Sequence, residues 1–413
     1  MIDGRLTRQA LNKMYANFDI NTFWTFNLVQ RKIQTIEANT FDGLSNLRYL
    51  YLNENNLFLL EPDSFSGLTN LTNLYMSKNL LQSLDARLFQ HLNQLEILDL
   101  RSNKLNFIHP ESFHGLGSLK QLILSSNELY SIHDDTFASL TLLEALTLSG
   151  NLFSSVYSVW FKELNELKSL AIYDNKLRSL PRFEDLKKLE KLILSYNNLT
   201  SINYDTFASL SSLKQLDLSS NSLSNIDSFA FKSLVKLEIL ELGINQLTSL
   251  DSHLFKALVE LTELDLAVNR IATIDSQAFA SLTNLKKLAL HANRIVKIQP
   301  FTFKNLLNLT ELQLHVNLLS GIDGLVFDGL SNLQRIVLDN NQLTSLKADT
   351  FTPLTNIKYI YLEQNKLISI DRSIFVSLME LQHVTFRGNP IANIDGSFVL
   401  GLCYTNPKCK IYL

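Results

Sequence analysis

Residues 213–234 read LKQLDLSSNSLSNIDSFAFKSL, and the pattern in this stretch recurs along almost the whole chain. Its first eleven residues follow L-x-x-L-x-L-x-x-N-x-L. We number the positions of each repeat from the first leucine, so that Asn221 occupies position 9. Asparagine recurs at position 9 every 24 residues, with one step of 22, at 55, 79, 103, 127, 151, 175, 197, 221, 245, 269, 293, 317, 341, 365 and 389. This fixed period predicts a solenoid of stacked coils around one continuous core.

Each part of the repeat predicts a local structure. Leucines at positions 4 and 6 alternate with variable residues, which indicates a short strand, and stacked coils would place these strands about 4.8 Å apart in a parallel sheet. The asparagine follows the strand, where buried backbone groups need both donors and acceptors, so we expect a ladder of Asn amides. Phenylalanine recurs at position 19, as in Phe231, and we expect these rings to pack under the opposite side.

The full 24-residue unit, L-x-x-L-x-L-x-x-N-x-L-x-x-[IL]-x-x-x-x-F-x-x-L, resembles the typical extracellular leucine-rich repeats. Toll-like receptor ectodomains, Slit-like proteins and variable lymphocyte receptors contain such repeats, and the resemblance covers about residues 23–400. It implies an α/β-type repeat solenoid: a leucine-rich repeat horseshoe with a concave parallel β-sheet and a mostly irregular convex side. About 16 coils are expected, if a degenerate first coil at 23–46 is included.

We expect three segments: an N-terminal cap at 1–22, the solenoid at 23–398 and an abbreviated C-terminal cap at 399–413. Leu6, Ala10, Met14 and Phe18 are spaced by four and predict one face of a helix that covers the open end of the core, with a disordered leader as the alternative. The coil at 167–188 has only 22 residues, which predicts a bend or shift near 160–190.

Charge and hydropathy limit the kind of partner and the location. A net charge of -3 with 19% charged residues provides no basic stripe for nucleic acid, and no apolar run approaches the roughly 20 residues that cross a bilayer. The first residues lack the apolar core of a secretory signal. On the resemblance, we expect an extracellular or cell-surface location, with a cytoplasmic one as the alternative.

Cysteines and glycosylation sequons bear on the same question. The two cysteines, Cys403 and Cys409, fall where the family's C-terminal cap usually carries four, so the cap resembles a shortened version in which they form a local disulfide. Free thiols are the alternative for a cytosolic protein. Of the three Asn-x-Thr sequons, Asn198 is expected on the concave face, so Asn70 and Asn308 are the favoured glycosylation candidates.

Residues between the inward leucines are free to vary, so a ligand site is sought there. Position 8 carries Ile244, Val268, Ala292 and Val316 in four neighbouring coils, and a solvated sheet face does not need such apolar residues. We predict an apolar protein-binding patch with His and Arg around it, although β-branched residues also suit strands. The predicted patch comprises Ile244, Val268, Ala292 and Val316, rimmed by His291, His315, Arg270 and Arg294, with Tyr173 and Tyr196 as further candidates.

Three further groups lie on the same predicted face. An acidic column at position 5, Asp217, Glu241 and Asp265, would place like charges about 5 Å apart, which favours a cation or a basic partner, with surface drift as the alternative. Tyr49, Tyr51, Tyr75, Tyr359 and Tyr361 suit recognition or cross-strand packing. His291, His315 and Asp339 could bind a metal, but a pH-sensitive part of a protein interface is favoured for them.

The sequence therefore predicts a protein-binding module that recognises a macromolecular ligand on its concave face, as a receptor, adhesion or immune-type ectodomain. The sequence contains no catalytic motif, so we expect no enzyme activity, no cofactor and no metal site. The alternatives are an intracellular scaffold and the targeting region of a larger signalling receptor or enzyme.

Overall fold

The computed structural model describes residues 4–392 and 410–412. The chain forms two compact units, Met1–Asn198 and Leu199–Leu413. Each unit is a stack of coils in which every coil contributes one short strand to a parallel sheet. The fold class is that of a leucine-rich repeat solenoid with little helix, as predicted.

The sheet of the first unit has eight strands, and each pairs with the next in register. They are Thr25–Asn27, Tyr49–Tyr51, Asn73–Tyr75, Ile97–Asp99, Gln121–Ile123, Ala145–Thr147, Ser169–Ala171 and Lys191–Ile193. The middle residue of each strand is the position-4 leucine or its equivalent, and it is buried while its neighbours face outward. This alternation follows from the pleat of a strand.

The second unit repeats this arrangement with nine strands. They are Gln215–Asp217, Ile239–Glu241, Glu263–Asp265, Lys287–Ala289, Glu311–Gln313, Arg335–Val337, Tyr359–Tyr361, His383–Thr385 and Lys410–Tyr412. Short two-residue strands also form on the flank of both units. They are Arg5–Leu6, Thr35–Ile36, Leu59–Leu60, Ser83–Leu84, Phe107–Ile108, Ser201–Ile202, Asn225–Ile226, Ser249–Leu250 and Thr273–Ile274.

The predicted asparagine ladder is confirmed. Asn127 accepts the backbone N–H of Leu105 on its Oδ1 at 3.0 Å, and its Nδ2 donates to the carbonyls of Leu124 and Leu100 at 3.0 and 3.1 Å. In the second unit, Asn245 makes the same three bonds at 2.9–3.1 Å. Each amide thus satisfies backbone groups of its own coil and of the preceding coil, which fixes the stacking register.

The phenylalanine column is also confirmed, since its rings are buried and stack from coil to coil. Phe65 and Phe89 have ring centroids 6.0 Å apart, and Phe255 and Phe279 lie 6.2 Å apart. In the 22-residue coil, Phe183 fills the column from a position two residues earlier, 6.0 Å from Phe161. The ladder also continues through this coil, and the bend remains a prediction.

The N-terminal region contains a helix, but the predicted helical face is wrong. The helix spans Arg8–Met14 and is capped by the Thr7 hydroxyl, and its buried residue is Leu11. Leu6 is buried as part of the strand Arg5–Leu6, whereas Phe18 is 66% exposed. The i, i+4 pattern fails because the helix is only seven residues long, so Leu6 and Phe18 lie outside it.

The remaining helical segments are single turns of 3-10 helix at Ile20–Thr22, Ser158–Phe161, Gly324–Phe327 and Arg372–Phe375. The rest of the side opposite the sheet is mostly irregular in the described residues. The predicted disulfide between Cys403 and Cys409 lies outside the described residues. The three predicted segment boundaries stay predictions.

Candidate ligand-binding face

The outward residues of the repeat form what we call the sheet face, made by positions 3, 5, 7 and 8 of each coil. Positions 3 and 5 lie on the strand, and positions 7 and 8 lie in the turn that follows it. Position 8 has a positive φ in every coil, with values of 52–59° for its non-glycine residues. This left-handed turn precedes the ladder asparagine and directs its amide into the core, whichever residue occupies position 8.

Four consecutive coils of the second unit carry apolar residues at position 8, and we call them the apolar stripe: Ile244, Val268, Ala292 and Val316. Ile244, Val268 and Val316 are 52%, 45% and 47% exposed, and φ lies between 52° and 55° along the stripe. A positive φ is a rare conformation for β-branched residues. Strand propensity does not explain these residues, because they lie outside the strands.

The acidic column stands beside the stripe on the strands of the same unit. Asp217, Glu241 and Asp265 are direct neighbours in the parallel register. Asp217 accepts hydrogen bonds from the Ser219 N–H and hydroxyl at 2.9 and 2.7 Å, and Asp265 accepts one from the Ala267 N–H at 2.8 Å. The two aspartates are therefore held in place by the turns of their own coils.

Glu241 lies between the two aspartates, and its environment disfavours the charged form. Burial raises the pKa of Glu241 to about 7, and the negative charges of Asp265, Asp217 and Glu263 act in the same direction. Glu263 itself is paired with Lys287 at 2.9 Å. The column therefore contains a carboxyl that is partly protonated near neutral pH.

His291 and His315 at position 7 form a stacked pair, with ring centroids 4.3 Å apart and planes 7° apart. Their Nδ1 atoms are buried without a hydrogen-bond partner among the described residues. Burial and the neighbouring His291 lower the pKa of His315. Burial also raises the pKa of Asp339, one coil further along, to about 6.

The metal alternative for His291, His315 and Asp339 gains no support from this geometry. In the part of the chain that the structure describes, no three His, Cys, Asp or Glu side chains are grouped so that they could hold a metal ion. The histidine rings are used for mutual stacking instead.

Eight of the predicted ligand-binding residues lie in the second unit, where the structure brings the apolar stripe, acidic column and histidine pair onto one sheet face. Arg270 and Arg294 are exposed at position 10, two residues beyond the stripe. Tyr173 and Tyr196 are exposed as well, but they belong to the first unit. They are separate candidates rather than members of the same patch.

Three of the five predicted tyrosines take part in ring stacks, Tyr51 and Tyr75 in the first unit and Tyr359 in the second. Tyr51 and Tyr75 are 4.9 Å apart and nearly parallel. Tyr359 stacks on His383, and the Arg335 guanidinium lies 5.1 Å from the Tyr359 ring centroid. Because these rings turn their faces toward each other across the strands, cross-strand packing accounts for them.

Sequence reasoning missed an ion pair on the first unit. Asp99, also at position 5, is buried and is held by Arg101 at position 7, with Asp99 Oδ2 at 2.9 Å from both Nε and Nη2. An acidic residue followed two positions later by arginine on the same face was the signal available in the sequence. The second-unit acidic column has no such arginine.

The sequon residues have structural roles. The Asn70 and Asn308 side chains donate to the carbonyls of Ser45 and Thr283 on the preceding coils at 2.8 and 2.9 Å, as Asn332 does outside any sequon. Asn198, in the third sequon, lies beyond the strand Lys191–Ile193, beside a depression lined by Ser154, Ser155, Lys176 and Arg178. The use of Asn70 and Asn308 as glycan sites stays a prediction.

Comparisons with protein families identify the repeat. A family described as leucine rich repeat matches residues 25–81, 70–129, 117–177, 283–343 and 331–391, which together exceed half of the chain. A BspA type leucine rich repeat region matches residues 180–294. The chain therefore belongs to the leucine rich repeat family.

Solved structures agree with this assignment. A leucine-rich repeat protein of Leptospira interrogans is 25% identical with a TM-score of 0.73, and the match covers 100% of both chains. TLR13 from its complex with ssRNA13 is 27% identical with a TM-score of 0.78, over 94% of this chain and 61% of TLR13. Drosophila Toll from its complex with Spatzle is 25% identical with a TM-score of 0.75, over 94% and 55% of the two chains. No curated protein matches the chain.

The fold and these relatives define the class of protein. Leucine-rich repeat solenoids are typically binding scaffolds, and this chain is similar to receptor ectodomains. In the described residues, no helix has the length and apolar character needed to cross a membrane.

Proposed function

We propose that this chain is a protein-binding module that holds a polypeptide ligand on the sheet face of its second unit, as the ectodomain of a receptor, adhesion or immune-type protein. The ligand contacts the apolar stripe and the residues around it, on what the sequence predicts to be the concave face. The chain acts by binding and performs no catalysis of its own.

The observation that carries the proposal is the combination of strain and exposure in the apolar stripe. A left-handed backbone costs about 1–2 kcal/mol for a residue other than glycine, and β-branched side chains suit it least. Burial in the core does not offset this cost, because Ile244, Val268 and Val316 are about half exposed. Contact with a ligand would recover it by removing apolar surface from water.

The similar receptors suggest two kinds of ligand. Toll is found in complex with the protein Spatzle, and TLR13 in complex with ssRNA. The acidic column favours a protein here, because its carboxylates would repel the phosphates of a nucleic acid. The chain also spans only 55% of Toll and 61% of TLR13, so the activity of those whole receptors is not transferred to it.

A photo-crosslinking experiment tests the site. A benzophenone amino acid is placed at Val268 in the full chain, with the same substitution at Ser102 as a control, since Ser102 has the same repeat position and φ. Partners captured from extracellular fluid of the source organism are identified by mass spectrometry and purified. We expect crosslinks from position 268 and none from position 102.

Titration of the purified partner then measures the contribution of the stripe. We expect Val268→Asp and Ile244→Asp to weaken binding by at least about tenfold, as loss of a central apolar contact does. Ser102→Asp should leave the affinity unchanged, and thermal melting confirms that all three variants are folded. Equal affinities for the Val268 and Ser102 variants would show that the site lies elsewhere.

Extracellular location is part of the proposal, with the cytoplasmic scaffold as its alternative. The intact mass of protein from its native source, alkylated without reductant, distinguishes them. A disulfide between Cys403 and Cys409, with hexose mass on Asn70 or Asn308, is expected for an ectodomain. Two alkylated thiols and the bare polypeptide mass would favour the scaffold. A longer native product with a membrane or signalling segment would identify the chain as part of a larger receptor.

A further inference from the structure

We infer that the ligand segment is basic and amphipathic, with Lys or Arg side chains that meet Glu241 and Asp265 while its aliphatic side chains cover the apolar stripe. This inference rests on the proposed function and specifies the chemistry of the partner. It follows from how the charges and the apolar surface are distributed on one set of coils.

The acidic column is not neutralised within the chain. In the described residues, no Lys, Arg or His forms an ion pair with Asp217, Glu241 or Asp265, and Lys287 nearby is engaged by Glu263. Position 7 of the same three coils carries Ser219, Gly243 and Ala267, none of which supplies a positive charge. Like charges on directly opposed strand positions are destabilising, so a cation from a partner would be attracted here.

A recess lies at this place in the sheet face. It has a volume of about 210 Å³, and its walls include Glu241, Asp265, Lys287 and His291. Gly243 leaves room for the Asp265 carboxylate, since a β-carbon added at residue 243 would lie 3.1 Å from Asp265 Oδ2. Such a recess suits the end of one long cationic side chain.

The charges on the two sides of the apolar stripe are opposite, which orients the ligand. Glu241 and Asp265 at position 5 precede the stripe residues Ile244 and Val268, and Arg270 and Arg294 at position 10 follow the stripe residues Val268 and Ala292. Oppositely charged borders favour a segment with its cations over the strands and its anions toward the arginines. Such complementarity fixes the register of a partner and rejects wrong ones.

The affinity for a cationic segment should depend on pH. Glu241 has a pKa of about 7 in the free protein and faces Asp217 on the preceding strand and Asp265 and Glu263 on the following one. A bound cation stabilises its charged form, so binding releases a proton and weakens as the pH falls through 7. Lys287 remains positive throughout, since Glu263 raises its pKa, and the neighbouring His315 has a pKa that burial lowers.

Labelled synthetic peptides of alternating Lys and Leu, Glu and Leu, or Lys and Ser serve as probes with the full chain, together with single-stranded oligouridine. Fluorescence anisotropy should detect the Lys and Leu peptide most strongly at pH 8, with affinity about tenfold weaker at pH 5.5. The double substitution E241Q and D265N should weaken binding about tenfold at pH 8 and remove most of the pH dependence. Gly243→Ala should weaken it as well by crowding Asp265.

The matched control is the double substitution E111Q and D134N, which removes two exposed carboxylates from the first unit and should change nothing. If the Lys and Ser peptide binds as tightly as the Lys and Leu peptide, the binding is general charge attraction and the inference is overturned. Tighter binding of the Glu and Leu peptide or of oligouridine, or no binding of any peptide, would also overturn the inference. The variant Val268→Asn separates the two proposals. If the variant binds every peptide as the parent protein does, the proposed function fails. If the parent protein binds both Leu peptides and the variant binds neither, only the charge inference fails.

Discussion

The first and second units place an acidic residue at the same repeat position and treat it differently. Asp99 in the first unit is buried and forms a two-point ion pair with Arg101 two residues later. Glu241 in the second unit has Gly243 at the place of that arginine, and burial together with its acidic neighbours raises its pKa to about 7. The same repeat position thus carries an acid with an ion pair in the first unit and an acid without an ion pair in the second.

The left-handed position 8 shows the same contrast. Most coils of the first unit fill it with Glu, Lys, Ser, Asp or Gly, which tolerate exposure, and Tyr196 is the exception. Four consecutive coils of the second unit fill it with Ile, Val or Ala. Exposed β-branched residues with a left-handed backbone and carboxylates without an ion pair therefore occur together in the second unit, and the proposed binding site rests on this combination.

The largest predicted effect tests what the two units share. Asn127→Ala and Asn245→Ala each leave buried backbone donors and acceptors without partners, so each should reduce the free energy of unfolding by about 4 kcal/mol. Chemical denaturation monitored by circular dichroism measures the change. Clearly different losses for the two variants would contradict the idea that both units rest on the same ladder.

The next prediction removes the ion pair of the first unit. Arg101→Ala leaves the buried Asp99 carboxylate without its cation and should destabilise the protein by about 2–3 kcal/mol. Arg87→Ala is the control, because Arg87 and Asp85 are both exposed and such pairs contribute about 0–1 kcal/mol. Equal denaturation midpoints for the two variants would count against the contrast with Glu241.

A smaller effect is expected from exchanging residues at position 8. Asn tolerates a left-handed backbone, so Val268→Asn should stabilise the fold by about 0.5–1 kcal/mol, whereas Ser126→Val should destabilise it by a similar amount. Thermal melting of both variants should show a raised melting temperature for Val268→Asn and a lowered one for Ser126→Val. The same Val268 variant is expected to lose ligand affinity, and a variant that loses stability instead would show that the stripe serves the fold.

The last predicted effect is of similar size and depends on pH. The pKa of Glu241 is raised from its ordinary value of 4.5 to about 7, so its ionisation costs the folded state stability as the pH rises through this window. Glu241→Gln should change nothing at pH 4 and stabilise the protein by about 1 kcal/mol at pH 8, with allowance for the solvent that screens a half-exposed group.

Asp339→Asn provides the comparison for that measurement. Asp339→Asn should also increase the free energy of unfolding, and the increase should be complete at a lower pH than for Glu241→Gln, because the pKa of Asp339 is raised only to about 6. Denaturation curves of both variants and the parent protein from pH 4 to pH 8 provide the test. A gain for Glu241→Gln that is already full at pH 4 would contradict the assigned pKa.

Much of the architecture followed from the sequence. The strand, the Asn127 ladder bonds and the Phe65 column were predicted because each repeats in every coil, and a residue that meets the same neighbours fifteen times must satisfy the same contacts. The acidic column was also recognised, since the parallel register places position 5 of successive coils side by side.

Other features depended on contacts within single coils that the period does not encode. The sequence could not show that Ile244 and Val268 occupy a left-handed turn rather than a strand, that Asp99 is paired while Glu241 is not, or that His291 stacks on His315. It also placed Leu6 and Phe18 on a helix that includes neither. The repeated sequence determined the stacking and the buried core, because every coil imposes the same packing there. The outward side chains meet different neighbours in each coil. Only the tertiary structure therefore decided which charges are paired and which apolar surface stays exposed.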